Sequence, residues 1–186
     1  MEERRDHELA AAGRQGSVII GVSGGEYGVR GHLQSFNAKT GALEWQTYTV
    51  PAPGEPGSET WPKNDAWKSG GGPTWLTGSY DAETDTLYWG VGNPGSGAYE
   101  TRPGDNLWTE SMLALDPPET GKIKWGFQYT PNDPWDYDGM ATPIFVDVPI
   151  DGQPREAGWS PTAMASSTRS TGRHPAGRRH QLDERS

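Results

Sequence analysis

Alternation of apolar and polar residues recurs three times along the chain, each time around a polar turn. The first unit is Leu33-Gln-Ser-Phe-Asn-Ala-Lys-Thr-Gly-Ala-Leu-Glu-Trp45 and a looser one is Ser79-Tyr-Asp-Ala-Glu-Thr-Asp-Thr-Leu-Tyr-Trp89. The last is Leu113-Ala-Leu-Asp-Pro-Pro-Glu-Thr-Gly-Lys-Ile-Lys-Trp125. Each predicts a strand, a turn opened by Asn or Asp, Gly or Asp at the turn end, and a strand closing on Trp. Asn and Asp side chains favour such turns, and Gly supplies positive φ where the turn needs it. Lys122-Ile-Lys-Trp125 alternates with period two, as a half-buried strand does. The first fifteen residues show no strand pattern; Ala10 to Ala12 extend a short helix at best. The last thirty hold almost nothing apolar and no hydrophobic period, so the informative stretch runs from about Val18 to Val148.

The closing Trp residues stand 44 and 36 residues apart. A repeat of about 40–50 residues with four short strands is the period of a propeller blade. Any antiparallel meander has turns and Trp, but three copies of one polarity point to a propeller. At about 45 residues per blade, Val18–Val148 holds about three blades, below the ~4 that close a ring. The prediction is therefore an all-β chain: about three blades of a β-propeller, forming an open arc whose outer sheet faces lack neighbours.

Composition narrows the classes. Of 186 residues only 32% are hydrophobic, and 26 Gly with 16 Pro approach a low-complexity level, yet nine Trp and seven Tyr do not suit a solvated tail. The longest aliphatic run is Val18-Ile19-Ile20, too short to span a membrane. Met1-Glu-Glu-Arg-Arg-Asp-His has no apolar core of a signal peptide, so the chain as given is expected to stay in the cytoplasm. The absence of Cys removes disulfides, thiolate zinc sites and Cys nucleophiles. A net charge of −9 argues against nucleic acid as a partner. That charge is uneven: residues 155–186 carry +3 and residues 1–154 carry −12. The expected organisation is a disordered or aberrant segment over 1–16, the propeller piece over 17–155, and a disordered tail over 156–186.

Three segments could carry chemistry. Thr130-Pro-Asn-Asp-Pro-Trp-Asp-Tyr-Asp-Gly139 holds three Asp and an Asn, either an Asx-rich loop capped by its own backbone or oxygen donors for a Ca²⁺-like cation. It lacks the Asp-x-Asp-x-Asp-Gly spacing of an EF-hand. Gly21-Val-Ser-Gly-Gly-Glu-Tyr-Gly-Val-Arg-Gly31 surrounds Glu26 with glycines. This allows close backbone approach to a ligand, or makes a hairpin with a solvated Glu. No helix follows, so a dinucleotide fold is not indicated. Gly70-Gly-Gly-Pro-Thr-Trp75, with Gly90-Val-Gly-Asn-Pro-Gly95 after it, offers Trp75 either as a stacking platform for a flat ligand or as a blade-core residue.

Taken together these segments resemble the pyrroloquinoline quinone (PQQ)-dependent alcohol and methanol dehydrogenases, the type I quinoproteins. The matching motifs also include Trp61-Pro-Lys-Asn-Asp-Ala-Trp-Lys68, Arg102-Pro-Gly-Asp-Asn106 and Pro131-Asn-Asp-Pro-Trp-Asp-Tyr-Asp-Gly139, in order, over about residues 17–155. The three repeats are similar to the family's tryptophan-docking motif, which ties neighbouring blades together. The resemblance implies roles. Glu26 and Asn93 are the carboxylate and amide ligands of the active-site metal, Ca²⁺ or a lanthanide ion. Asp136 is the catalytic base and a metal ligand. Ser23, Gly24 and Gly25 are cofactor contacts, and Trp75 stacks on the quinone. It also implies oxidation of a small primary alcohol to an aldehyde, by hydride transfer to PQQ, with a cytochrome c as acceptor and a periplasmic location for the intact enzyme. Asp138 adds a carboxylate two residues from Asp136, as in the family's lanthanide-dependent members, and extra charge suits a trivalent ion; the bland alternative is a turn Asp before Gly139.

The chain also departs from the family. The family's ring has eight blades, and its export signal, adjacent-cysteine disulfide and several cofactor contacts have no counterpart here. Pro117-Pro118 lengthens one turn by a residue. After Gln153-Pro-Arg155 the text diverges, and codons can be chosen for Pro161–Gly172 that spell a family-like strand in a neighbouring frame. The expectation is a shifted frame after residue 155, with a similar origin or an internal start for Met1 to about Gly13, and a fragment inactive alone. The alternative is a non-catalytic propeller fragment that binds a partner or a structural calcium.

Overall fold

The computed structural model describes residues 12–14, 16–95, 99–116, 120–150, 153–161, 167–169 and 179–181. Their regular structure is β-strand and short 3₁₀ turns, with no α-helix among the described residues. The first sheet holds β1 (Ala12–Arg14), β2 (Ser17–Gly21), β3 (His32–Asn37) and β4 (Leu43–Tyr48) in sequential order. The second holds β5 (Ser79–Asp81), β6 (Thr86–Val91), β7 (Ser111–Leu115) and β8 (Ile123–Gln128). The third holds β9 (Ile144–Ile150), β10 (Gln153–Pro161) and β11 (Ser167–Arg169), while β12 (Arg179–Gln181) joins the second sheet beside β8. Every ladder between these strands is antiparallel.

The three predicted units fold as three hairpins, and their turns are built as the side chains dictate. Asn37 Oδ1 accepts from the amides of Lys39 and Thr40, both at 3.1 Å, and Gly41 turns the chain at φ 71°. Asp81 Oδ1 accepts from Glu83 N at 3.0 Å, and Asp85 ends that turn at φ 46°. In the third unit Gly121 N donates to Asp116 O at 2.9 Å with φ 62°.

The core follows from period two. On β6 the side chains of Leu87, Trp89 and Val91 share one face; on β7 Leu113 and Leu115 share it. They pack with Ile19, Leu33 and Trp45 of the first sheet and with Leu107 and Trp108. Tyr88, Met112, Ala114, Trp125 and Phe127 form the opposite face, against which Phe145 of β9 packs. The second sheet is thus buried on both sides, between the first and third, as the middle of three consecutive blades. Burial of each Leu- or Trp-sized side chain contributes roughly 1.5–3 kcal/mol. Trp45 ties two blades: a Cβ on Gly121 would stand 2.3 Å from its ring, and Thr47 Oγ1 donates to Gly121 O at 2.6 Å.

Short stretches at both ends are described, as paired strand. β1 lies within residues 1–16, and β10, β11 and β12 lie wholly or mainly in the predicted tail. Each is backbone-paired, from Trp159 opposite Ile144 to Arg179 opposite Phe127. A sheet edge presents unpaired N–H and C=O groups that an extended segment can join whatever its side chains, so pairing there needs no hydrophobic period. The rest of 1–15 and of 156–186 lies outside the described residues.

Candidate functional site

The three glycine-rich segments are woven into one another. Residues 70–74 run between 21–31 on one side and 90–95 on the other. Gly31 N donates to Gly71 O (2.7 Å), Gly71 N to Val29 O (2.9 Å), and Thr74 N to Val22 O (2.7 Å). Toward the other side Gly72 N donates to Asn93 O (2.8 Å), Gly92 N to Pro73 O (2.8 Å) and Gly95 N to Gly70 O (2.7 Å). Here the glycines serve approach of chain to chain. A Cβ on Gly31 would stand 1.8 Å from Gly72 O, and one on Gly71 would stand 2.2 Å from Gly95 N. The weave brings Gly25, which follows Ser23 and Gly24 and precedes Glu26, beside Asn93: a Cβ on Gly25 would lie 2.9 Å from Pro73 Cδ and 3.5 Å from Asn93 Oδ1. Trp75 is half-buried two residues past Pro73.

The Asp-rich loop comes to the same place by a different route. Arg102, buried, forks into it: one terminal nitrogen donates to Asn106 Oδ1 (2.9 Å) and Asn132 Oδ1 (2.8 Å), the other to Asp133 O (2.7 Å). The buried Asp133 carboxylate accepts from Trp135 N (2.8 Å) and Tyr137 N (2.7 Å), a self-capped Asx arrangement. Asn132, Asp136 and Asp138 take left-handed backbone at φ 47°, 65° and 54°, which Asn and Asp tolerate better than other side chains. At the far end Gly139 N donates to Glu110 Oε2 at 2.8 Å.

Asp138 is the junction. Its Oδ1 accepts from Asn93 N at 3.4 Å, and a Cβ on the intervening Gly92 would stand 2.8 Å from it. Burial raises its pKa; the Asn93 amide opposes this, while the charges of Asp136, Asp133 and Glu26 add to it. Glu26, Asn93, Asp136 and Asp138 therefore share one electrostatic neighbourhood. Glu26 and Asp136 are exposed, and Asn93 and Asp138 half-buried. An all-oxygen donor set of this kind fits a hard cation. The oxygens are not drawn together as a finished shell: among the described residues no three His, Cys, Asp or Glu form a group able to hold a metal ion.

Two residues of the site were not singled out from sequence. Glu110 is 1% exposed, and burial pushes its carboxyl up to about 8, with Asp133 and Asp138 adding to the shift. The signal for it was available: Glu110 is the one charged residue in Leu107–Leu115. Asp133 belongs to the acidic cluster of the sequence, and nothing in its spacing marks it as the loop's internal cap.

Comparison with known proteins places the chain. Residues 9–167 match the model of the PQQ glucose/ethanol/alcohol dehydrogenase β-propeller domain. The quinohemoprotein alcohol dehydrogenase of Comamonas testosteroni is 42% identical over 156 residues, 76% of this chain and 22% of that protein. The lanthanide-dependent methanol dehydrogenase of Methylorubrum extorquens is 38% identical over 156 residues, 74% of this chain and 26% of that protein. Among solved structures, a europium-containing methanol dehydrogenase superposes with a TM-score of 0.76 at 36% identity, over 83% of this chain and 30% of the other. The Comamonas testosteroni enzyme superposes with a TM-score of 0.79 at 37% identity, over 85% and 26%. The chain thus spans about a quarter of the length of these relatives, and it belongs to the family of PQQ-dependent alcohol and methanol dehydrogenases.

Proposed function

We propose that this chain supplies part of the cofactor and metal site of a periplasmic PQQ-dependent dehydrogenase that oxidises small primary alcohols to aldehydes. The observation that carries the reading is the junction at Asp138, which joins Asn93 through a hydrogen bond and Asp136 and Glu26 through charge. In this reading Glu26, Asn93, Asp136 and Asp138 hold Ca²⁺ or a lanthanide ion, Ser23, Gly24 and Gly25 border the cofactor, and Trp75 lies against its ring. Bound PQQ supplies a two-electron acceptor for the hydride that leaves the alcohol carbon. Asp136 takes the hydroxyl proton as general base, which its exposure permits. Its left-handed backbone, between Trp135 and Tyr137 on the Asp133 cap, fixes where that carboxylate is presented. A cytochrome c receives the electrons from the intact enzyme, and this 186-residue chain alone turns over no alcohol.

Dye reduction by the full-length enzyme, with PQQ, ethanol and either Ca²⁺ or a light lanthanide, tests this. Asp136→Ala should abolish turnover with both metals. Asp138→Ala should weaken lanthanide-supported turnover far more than calcium-supported turnover, and equal loss with both would defeat the lanthanide assignment. The alternative is a propeller piece that binds a partner or a structural calcium without catalysis; the ungathered state of the carboxylates favours its partner-binding form. Absence of any PQQ-dependent turnover by the full-length parent with either metal would select that reading.

A further inference from the structure

Glu110 is a buried acid that the proposed chemistry leaves unused. Two features make it an unfavourable local choice. It is a non-glycine, non-Asx residue in left-handed backbone, at φ 51°, and its Oε1 has no hydrogen-bond partner. An apolar side chain would avoid the second cost, since the neighbouring positions Leu107, Trp108 and Met112 are apolar and buried.

What Glu110 contributes is a three-way tie. Its backbone N–H donates to Gly92 O at 2.9 Å, next to Asn93. Its carbonyl accepts from Tyr129 N at 2.7 Å, where the chain leaves β8 for the Asp-rich loop. Its side-chain Oε2 accepts from Gly139 N at 2.8 Å, where that loop ends. Gly139 fits closely: a Cβ there would stand 3.0 Å from Oε2 and 3.1 Å from the Glu110 carbonyl carbon. The other end of the loop is held by Arg102, so Glu110 is the matching anchor.

We infer that Glu110 is a positioning residue. By fixing Gly139 to the strand end that carries Gly92, it sets Asp138 against Asn93 and with it the placement of Asp136. The metal consequence rests on the cation-site reading above; the loop consequence does not.

Amide hydrogen exchange by NMR and Tb³⁺ titration with Trp-sensitised luminescence, both on the 186-residue chain, separate the two. In the parent chain the Gly139 amide should exchange at least about tenfold more slowly than an open amide, the factor that one net hydrogen bond supplies. Glu110→Met removes the acceptor, so Gly139 exchange should speed up about tenfold and Tb³⁺ affinity should fall about tenfold. Glu110→Gln keeps an oxygen on Gly139 N and should hold both within about threefold of the parent. Fast Gly139 exchange in the parent, or equal behaviour of the Met and Gln variants, overturns the inference. If Glu110→Met fails to fold, the parent and Glu110→Gln exchange rates decide it: loss of Gly139 protection in the Gln variant overturns it. If the parent binds no Tb³⁺, the cation reading fails, and Gly139 exchange still decides the role of Glu110.

Discussion

Arg102→Met removes the fork that holds the start of the Asp-rich loop while keeping much of the side-chain length. Three acceptors lose their donor: Asn106 Oδ1, Asn132 Oδ1 and Asp133 O. Asn132 is half-buried and can turn to water, but Asn106 and Asp133 are 0% and 2% exposed. Each buried acceptor left without a partner costs about 1–3 kcal/mol, and recovery of the guanidinium's own desolvation offsets a part. The net expected loss is about 3–4 kcal/mol, in line with breaking a buried charged network. Arg102→Lys keeps the charge but offers a point donor that cannot span three acceptors, and should lose about half as much. Urea unfolding followed by Trp fluorescence reads this directly. With a slope of about 2 kcal/mol/M, the midpoint should drop by about 1.5–2 M for the Met variant. The exchange of the Trp135 and Tyr137 amides should rise with it, since both bond to Asp133. A loss under about 1 kcal/mol for Arg102→Met would refute the anchoring role, because two dry acceptors cannot be abandoned so cheaply.

Two further substitutions probe the scaffold. Gly31→Ala puts a Cβ 1.8 Å from Gly72 O and should destabilise by roughly 3 kcal/mol or more, whereas Gly41→Ala, with open space but φ 71°, should cost about 1–2 kcal/mol in the same urea assay. The exposed Glu44 carboxylate is held below its usual range by the Ser17 hydroxyl first and then by Ser35, so its contribution is complete above the ordinary glutamate pKa and is lost as pH falls through the lowered one. Ser35→Ala should move the Glu44 titration, followed by carboxyl ¹³C NMR, back up toward 4.5, and an unmoved titration would refute that cause.

The hairpins were legible because their determinants are local. Asn37, Asp81 and Asp116 open turns with their own side chains or carbonyls, and Trp45, Trp89 and Trp125 close strands where the alternation places them. The glycine-rich weave was only half legible: Gly31 and Gly71 announce close approach, but the sequence does not say whether a ligand or another backbone comes near. Residues 93, 110 and 138 meet through non-local bonds, so no spacing rule reveals them. The edge strands β11 and β12 carry no hydrophobic period, because edge pairing depends on an available neighbour.

The proposed function requires Glu26, Asn93, Asp136 and Asp138 to form one cation site. Tb³⁺ luminescence titration of the 186-residue chain, excited through Trp, tests it most directly, with La³⁺ as competitor and Asp138→Ala and Asp136→Ala as variants. The account predicts a saturable one-to-one response in the parent, displaced by La³⁺ and weakened at least about tenfold by each substitution, since each removes a charged ligand. An unsaturable response in the parent, or one that both substitutions leave unchanged, would contradict it.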